Sequence, residues 1–130
     1  MKQSILVVDD EPMTRDLLRL MLGTLGFSVR EAVDGIDALE KLQEFQPDLI
    51  VLDVMMPRMD GLTLCRKVRA DKTMADLPII ILTARADHEA QMASEAIDKT
   101  RFLAKPASRS DLLSHINEVL APNSSQMPIA

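Results

Sequence analysis

Five short apolar runs of strand type alternate with segments of helical period, and this alternation most constrains how the chain can fold. The runs are Ile5–Val8, Val29–Val33, Leu49–Leu52, Ile79–Leu82 and Phe102–Ala104. Continuous runs of Val, Ile and Leu are typical of strands buried on both faces, as in a parallel sheet between two helical layers. The βα pattern occurs five times, so we predict an α/β fold: a doubly wound, five-stranded parallel sheet with five helices.

The predicted helices fill the segments between the runs. They cover Pro12–Leu25, Gly35–Phe45, Leu62–Arg69, about Asp87–Ile97, and a last helix from Ser108 or Asp111 to Leu120. Helical spacing predicts that one face of the first helix meets the core through Leu17, Leu18, Met21, Leu22 and Leu25. Ser110 and Asp111 are predicted caps of the last helix. We expect Val29–Val33 to be an edge strand and Leu49–Leu52 to be central.

Composition predicts one soluble domain. The chain has 130 residues with 47% hydrophobic content, which suffices for one core. We expect a domain over residues 1–121, and residues 122–130, rich in Pro, Ser and Asn, to be a flexible tail or the start of a linker. The net charge of −5 argues against direct contact with nucleic acid or an anionic membrane.

The single cysteine, Cys65, excludes an intrachain disulfide and fits a reducing compartment. No signal-peptide core or membrane-length apolar stretch is present. We therefore expect a cytoplasmic protein with no membrane partner.

Acidic and polar residues follow several of the apolar runs. Asp9-Asp10 ends the first run, Asp53 the third and Thr83 the fourth, while Lys105-Pro106 follows the fifth. The carboxyl ends of parallel strands share one edge of the sheet, where ligands bind in the crevice. We therefore predict that carboxylates, a hydroxyl and an ammonium group converge on one pocket.

Four strings carry a specific resemblance. They are Ile5-Leu6-Val7-Val8-Asp9-Asp10-Glu11-Pro12, Leu52-Asp53-Val54-Met55-Met56-Pro57-Arg58-Met59-Asp60-Gly61, Leu82-Thr83-Ala84 and Ala104-Lys105-Pro106. In this order they resemble the receiver domains of two-component response regulators, over residues 3 to about 121. The resemblance implies a flavodoxin-like fold with strand order 2-1-3-4-5. It also implies transfer of a phosphoryl group from a sensor histidine kinase or a phosphotransfer protein to an aspartate.

The resemblance assigns the phosphoacceptor role to Asp53, and an ionised carboxylate is a competent nucleophile without a general base. It also implies a Mg²⁺ site, with Asp10, Asp53 and the backbone carbonyl of Met55 as ligands and Asp9 acting through water. Two carboxylates about 4 Å apart repel by roughly 4 kcal/mol at an effective dielectric near 20, which a hard divalent cation relieves. Asp10 also suits an N-cap before Glu11, and that structural role is compatible with metal binding.

Three further residues receive roles from the resemblance. Lys105 pairs with Asp53 at rest and with a phosphoryl oxygen after transfer, aimed inward by a cis bond to Pro106. Thr83 is the hydroxyl that moves to bind the phosphoryl group, and Phe102 is the aromatic switch residue. Moving such a switch from about 1% to 99% active takes roughly 5.5 kcal/mol of differential binding.

One region departs from the family pattern. Ile97-Asp98-Lys99-Thr100-Arg101 stands where these domains often read Ala-Gly-Ala-Asp-Asp. The face made by the fourth helix, fifth strand and fifth helix is where family members commonly meet targets. Lys99, Arg101 and Arg109 therefore suggest a different partner there, unless they form an ordinary solvated charge run.

Met55 and Arg85 lie two residues beyond Asp53 and Thr83. These positions border the path of the attacking water in the family, and neither side chain orients water well. We therefore expect slow self-dephosphorylation.

The leading interpretation is a phosphorylation-dependent binding switch, not an enzyme beyond its own phosphorylation and dephosphorylation, and a monomer or weak dimer. It works alone, as chemotaxis-type regulators do, or is the N-terminal receiver of a larger DNA-binding or enzymatic regulator. A Mg²⁺-dependent phosphohydrolase with an aspartyl-phosphate intermediate is an alternative. Haloacid dehalogenase-like enzymes of that type place two aspartates two residues apart, whereas Asp9 and Asp10 are adjacent. A degenerate receiver used only for protein contacts is a third possibility.

Overall fold

A five-stranded parallel sheet with helices on both faces makes up the described part of the chain. The computed structural model describes residues 3–54, 56, 58–84, 100–105 and 107–120. The strands are β1 (Ser4–Val8), β2 (Ser28–Ala32), β3 (Leu49–Asp53), β4 (Ile79–Thr83) and β5 (Thr100–Ala104). The helices within those residues are α1 (Pro12–Thr24), α2 (Gly35–Glu44), α3 (Gly61–Ala70) and α4 (Arg109–Leu120). The helix predicted at 87–97 and the tail at 122–130 lie outside the described residues.

The strand order is β2-β1-β3-β4-β5, and every pair is parallel. The order confirms the predicted flavodoxin-like topology, with β3 in the centre and β2 at an edge. Asp53 pairs with Leu82 and Thr83 pairs with Ala104 in the strand register. The carboxyl ends of β3, β4 and β5 therefore lie beside one another.

Alternate residues of the strands fill two separate cores. On one face, Leu6, Ile50 and Ile81 pack with residues of α2 and α3. On the other face, Ile5, Val51 and Ile80 pack with residues of α1 and α4. The period of two explains how a sheet of continuous apolar runs is buried on both sides.

The buried face of α1 is narrower than predicted. Leu18 and Leu22 are buried, whereas Leu17 is 57% exposed, so its predicted place in the core is wrong. Leu17 lies at the border of the stripe and shares the solvent side with Met13 and Leu20, which are also exposed. A helix on the surface of a sheet buries only a limited arc of its circumference.

The predicted caps of the last helix are only partly right: Asp111 accepts from the Ser108 N–H at 3.4 Å, but the N-cap residue is Ser108 and not Ser110. The helix begins at Arg109, and Ser108 Oγ accepts a hydrogen bond of 3.0 Å from the Asp111 N–H. Ser108 is therefore the cap, three residues before Asp111, in the usual geometry of an N-terminal serine. None of the described helices has the length and apolar character needed to cross a membrane.

Candidate functional site

Three carboxylates meet at the carboxyl edge of the sheet. Asp9 and Asp10 follow β1, and Asp53 is the last residue of β3. One oxygen from each carboxylate lies within 4.8 Å of the oxygens of the other two. Asp9 and Asp53 are buried, at 1% and 8% exposure, whereas Asp10 is exposed. Two of the three carboxylates of the cluster are therefore buried, and the cluster is open to solvent on the side of Asp10.

Lys105 brings a positive charge to the same cluster. Its Nζ lies 3.3 Å from Asp53 Oδ2 and 3.4 Å from Asp9 Oδ2. The Lys105 N–H donates to the Thr83 carbonyl at 2.9 Å, which fixes the residue directly after β5 beside the end of β4. The sheet therefore joins an ammonium group to carboxylates that lie 96 and 52 residues earlier in the chain.

The two predicted switch residues lie on neighbouring strands. Thr83 ends β4 and is buried, at 2% exposure. Phe102 lies on β5 opposite Ile81 and is partly buried against the core under α2 and α3. The backbone carbonyl of Met55, a predicted metal ligand, lies outside the described residues, as do Arg85 and the Pro106 peptide bond.

Asp9 is held by contacts that the sequence pattern does not predict. Its Oδ1 accepts from the Glu11 N–H at 2.9 Å, and its backbone carbonyl accepts from Arg15 Nη1 at 2.9 Å. Arg15 Nε in turn donates to Glu31 on the edge strand β2 at 3.2 Å. The N-cap residue of α1 is Glu11, so the cap role considered for Asp10 is wrong. Asp10 instead projects from the turn with its carboxylate in the cluster.

An ion pair that the sequence pattern does not predict joins Asp34, in the loop after β2, to Arg58, in the loop after β3. Asp34 is 5% exposed and caps α2, because its Oδ1 accepts from the Asp37 N–H at 2.8 Å. Its Oδ2 accepts from Arg58 Nε at 2.8 Å and also from Arg58 Nη2. A local signal for the cap existed, since Asp34 directly precedes the helix at Gly35. Nothing in the spacing indicates a partner 24 residues away.

The environment of Asp34 makes its folded state sensitive to acid. Burial by itself raises the pKa of Asp34, but the Asp37 N–H and the Arg58 guanidinium together outweigh it and hold the pKa below the ordinary 3.8. A lowered folded pKa means that the ionised group stabilises the fold above the unfolded value, and that this stability is lost on acidification.

We expect an Asp34→Asn variant to be less stable than the wild type at neutral pH and to approach the wild-type stability at low pH. Its deficit in unfolding free energy relative to wild type is largest at neutral pH and shrinks below about pH 4, as Asp34 of the wild type becomes protonated. Urea unfolding followed by circular dichroism at several pH values measures the deficit. A deficit that stays constant or grows on acidification contradicts this assignment.

The donor set fits a small hard cation. All three groups are carboxylates, and one side of the cluster is open, so an ion there can keep several waters as Mg²⁺ requires. The lysine contacts two of the carboxylates and leaves the exposed Asp10 available. Together with the strand order, these features define the class of the protein: a flavodoxin-like α/β domain with an acidic ligand crevice at the carboxyl edge of its sheet.

Comparison with known proteins refines this class. The protein-family model described as the response regulator receiver domain matches residues 5–117 of this chain. The chain therefore belongs to the response regulator receiver domain family and is a receiver domain of the two-component type. Response regulator MprA of Mycobacterium leprae is 44% identical over 116 residues, which are 89% of this chain and 50% of that protein. The chain thus spans about half the length of the curated relatives it matches.

Solved structures show the same fold. Chemotaxis protein CheY4 of Vibrio cholerae superposes with a TM-score of 0.84 at 32% identity, covering 92% of this chain and 100% of that one. The receiver domain of sensor histidine kinase PA1611 from Pseudomonas aeruginosa gives 0.83 at 30% identity, with coverages of 93% and 99%. That structure has a magnesium ion coordinated in its active-site cleft.

Proposed function

We propose that Asp53 is the phosphoacceptor of this receiver and that Lys105, Thr83 and a bound Mg²⁺ support the transfer. The observation that carries the proposal is the position of Lys105 Nζ, which contacts both Asp53 and Asp9 within a three-carboxylate cluster. A resting ion pair of this kind places a cation beside the nucleophile, where a phosphoryl oxygen will arrive.

In the proposed step, a carboxylate oxygen of Asp53 forms a bond to phosphorus. The bond from phosphorus to the donor breaks, and its electron pair leaves with the donor nitrogen of a phosphohistidine or the oxygen of an acyl phosphate. Lys105 stabilises the charge on the phosphoryl oxygens, since its ammonium already lies 3.3 Å from Asp53 Oδ2. No proton has to be removed from the nucleophile.

Asp10 and Asp53 would hold the Mg²⁺ directly, with Asp9 acting through water and Met55 supplying its backbone carbonyl. When bound, the ion neutralises the repulsion among the carboxylates and the incoming phosphoryl group. The magnesium in the cleft of the PA1611 receiver supports this assignment. The open side of the cluster at Asp10 is consistent with an ion that keeps waters.

The output of the domain is a change in protein contacts, and not turnover of a small substrate. The Thr83 hydroxyl, at the end of β4, would move to hydrogen-bond the phosphoryl group. Phe102, two residues before the end of β5, would change its packing when Thr83 moves. The partners are a sensor histidine kinase or a phosphotransfer protein, and a target that binds near β5 and α4. We place the domain at residues 1–121, as a cytoplasmic monomer or weak dimer.

Basic residues on β5 and α4 make contacts within the chain. Arg101 lies 3.7 Å from Glu118 on α4, and Arg109 Nε donates to Thr24 Oγ1 at the end of α1 at 3.1 Å. Two of the three basic residues that suggested a different partner therefore contact groups of the same chain.

The experiment that tests the proposal is intact-mass analysis after incubation with a small acyl phosphate. With Mg²⁺ we expect the mass to increase by one phosphoryl group, and with excess EDTA we expect no increase. If no phosphoryl group is gained, a tight complex with beryllofluoride shows that the site is competent and the adduct too short-lived to trap. Failure of both uptake and beryllofluoride binding overturns the proposal.

Replacing Lys105 with Met should slow phosphoryl uptake by about 100-fold, because preorganised charge at the developing phosphoryl oxygens is lost. The same change removes a competing cation from the carboxylates, so we expect Mg²⁺ to bind more tightly. Rates from intact mass and Mg²⁺ affinity from calorimetry give the two values. A parallel loss of rate and of Mg²⁺ affinity would mean that Lys105 holds the site together and does not act on the phosphoryl group.

A further inference from the structure

The loop between β3 and α3 has an unusual backbone at Arg58. Its φ is 66°, and among the described residues no other non-glycine residue has a positive φ. A bulky residue pays a conformational cost in this left-handed region and stays there only where its surroundings hold it. The loop directly follows Asp53 and includes Met55, whose carbonyl belongs to the proposed metal site.

The side chain of Arg58 supplies the holding contact. Its guanidinium donates twice to Oδ2 of Asp34, the N-cap residue of α2, which is buried at 5% exposure. The other oxygen of Asp34 accepts from the Asp37 N–H at 2.8 Å, so the carboxylate is itself fixed. Charge-assisted pairs with a fixed acceptor are the stronger class of hydrogen bond.

Two neighbouring contacts also hold the loop between β3 and α3, one of them against α2. A β-carbon at Gly35 would lie 2.9 Å from the side chain of Met59, so the loop packs directly on the start of α2. At the end of the loop, the Gly61 N–H donates to the Val54 carbonyl at 2.9 Å. These contacts hold Val54, Met59 and Gly61, and the Arg58–Asp34 pair holds Arg58 against the start of α2.

We propose that Arg58 and Asp34 form a positioning pair that sets the Mg²⁺ affinity of the acidic site by fixing the loop after Asp53. The inference rests on the proposed function. Neither residue belongs to the three-carboxylate cluster, so both act through the loop backbone. Residues that orient metal ligands typically change metal affinity by about 10- to 100-fold when they are replaced.

Four variants test this pair by their dissociation constant for Mg²⁺ alone, measured by calorimetry on the folded chain. Arg58→Ala removes the guanidinium. Asp34→Asn keeps an oxygen for the Asp37 N–H but turns an amide towards Arg58, so the cap survives and the ion pair is lost. We expect each to weaken Mg²⁺ binding by about tenfold, and the double variant to weaken it no further, because the two residues act as one unit. Arg58→Lys should restore part of the affinity.

Lys41→Met is the matched control. It removes an ion pair with Asp37 on α2, at 3.0 Å, without touching the loop. We expect it to lower thermal stability slightly and to leave Mg²⁺ affinity unchanged. A purely structural role for Arg58 and Asp34 would give the same outcome as this control, and that outcome overturns the proposal, as does an additive effect in the double variant.

The wild type separates this inference from the proposed function. If wild type binds Mg²⁺ and gains a phosphoryl group while the Arg58 and Asp34 variants keep the wild-type affinity, the inference alone fails. If wild type shows neither Mg²⁺ binding that requires Asp53 nor phosphoryl uptake, the inference and the proposed function fail together.

Discussion

An Asp53→Asn variant is expected to gain no detectable phosphoryl group under conditions that modify the wild type fully. The amide has no negative charge and is a poor nucleophile, and a direct Mg²⁺ ligand is lost with it. Asn has nearly the same shape, and the residue lies at the end of a strand that is buried along its whole length. The fold should therefore survive, and circular dichroism of the variant verifies this.

Asp76→Asn is the control for this variant. Asp76 is exposed and precedes β4, so it lies at the opposite edge of the sheet from the cluster. We expect Asp76→Asn to gain a phosphoryl group at the wild-type rate. That result would exclude a general effect of the lost negative charge. Stoichiometric uptake by Asp53→Asn would show that the acceptor is another residue.

A Gly61→Ala variant is expected to destabilise the fold by about 1–3 kcal/mol, in the range of overpacked buried sites. The added β-carbon would lie 2.4 Å from the Asp53 carbonyl oxygen, 2.7 Å from Leu52 Cδ1 and 2.9 Å from Val54 Cα. Two of these three atoms belong to the backbone of the segment around Asp53, so the clash cannot be relieved by rotating a side chain. Urea unfolding followed by circular dichroism measures the loss.

Two other glycines make the comparison specific. A β-carbon at Gly23 meets nothing within 4 Å, so Gly23→Ala near the end of α1 should be neutral or stabilise by up to about 1 kcal/mol. At Gly35 the obstructing Sδ and Cγ atoms of Met59 can move by rotation of the side chain, whereas its Cβ, also at 2.9 Å, cannot, so Gly35→Ala should fall between the two. Equal stabilities for Gly61→Ala and Gly23→Ala would mean that the close approach at Gly61 is not a constraint on the fold.

The strands and their order could be predicted from the sequence because a parallel sheet requires continuous apolar runs. Boundaries were less accurate: Asp53 and Thr83 were expected just after their strands, and both are the last strand residues. Their backbones continue the ladder by pairing with Leu82 and Ala104. Strand ends depend on the neighbouring strand as well as on the polarity of the side chain.

The acidic cluster and Lys105 were also predictable, because the topology brings all strand ends to one edge. The contacts that fix the cluster were not. Arg15 on α1 reaches Glu31 on β2, and Arg58 reaches a buried Asp34 across two loops. Such pairs depend on how helices and loops pack in the fold. The spacing of residues along the sequence therefore does not predict them. The exposure of Leu17 has the same origin, since the width of the buried arc of α1 is set by the sheet beneath it.

Locating the phosphoryl group at residue level tests the central claim most directly. Loss of uptake in Asp53→Asn has two explanations, loss of the nucleophile and loss of a metal ligand, and mapping the adduct separates them. Reduction of the phosphorylated wild type with borohydride converts an aspartyl phosphate to homoserine, which peptide mass spectrometry locates. We predict homoserine at position 53 and no conversion at Asp9 or Asp10. Conversion at another position, or a phosphoryl group that resists reduction, would contradict the assignment of Asp53 as the phosphoacceptor.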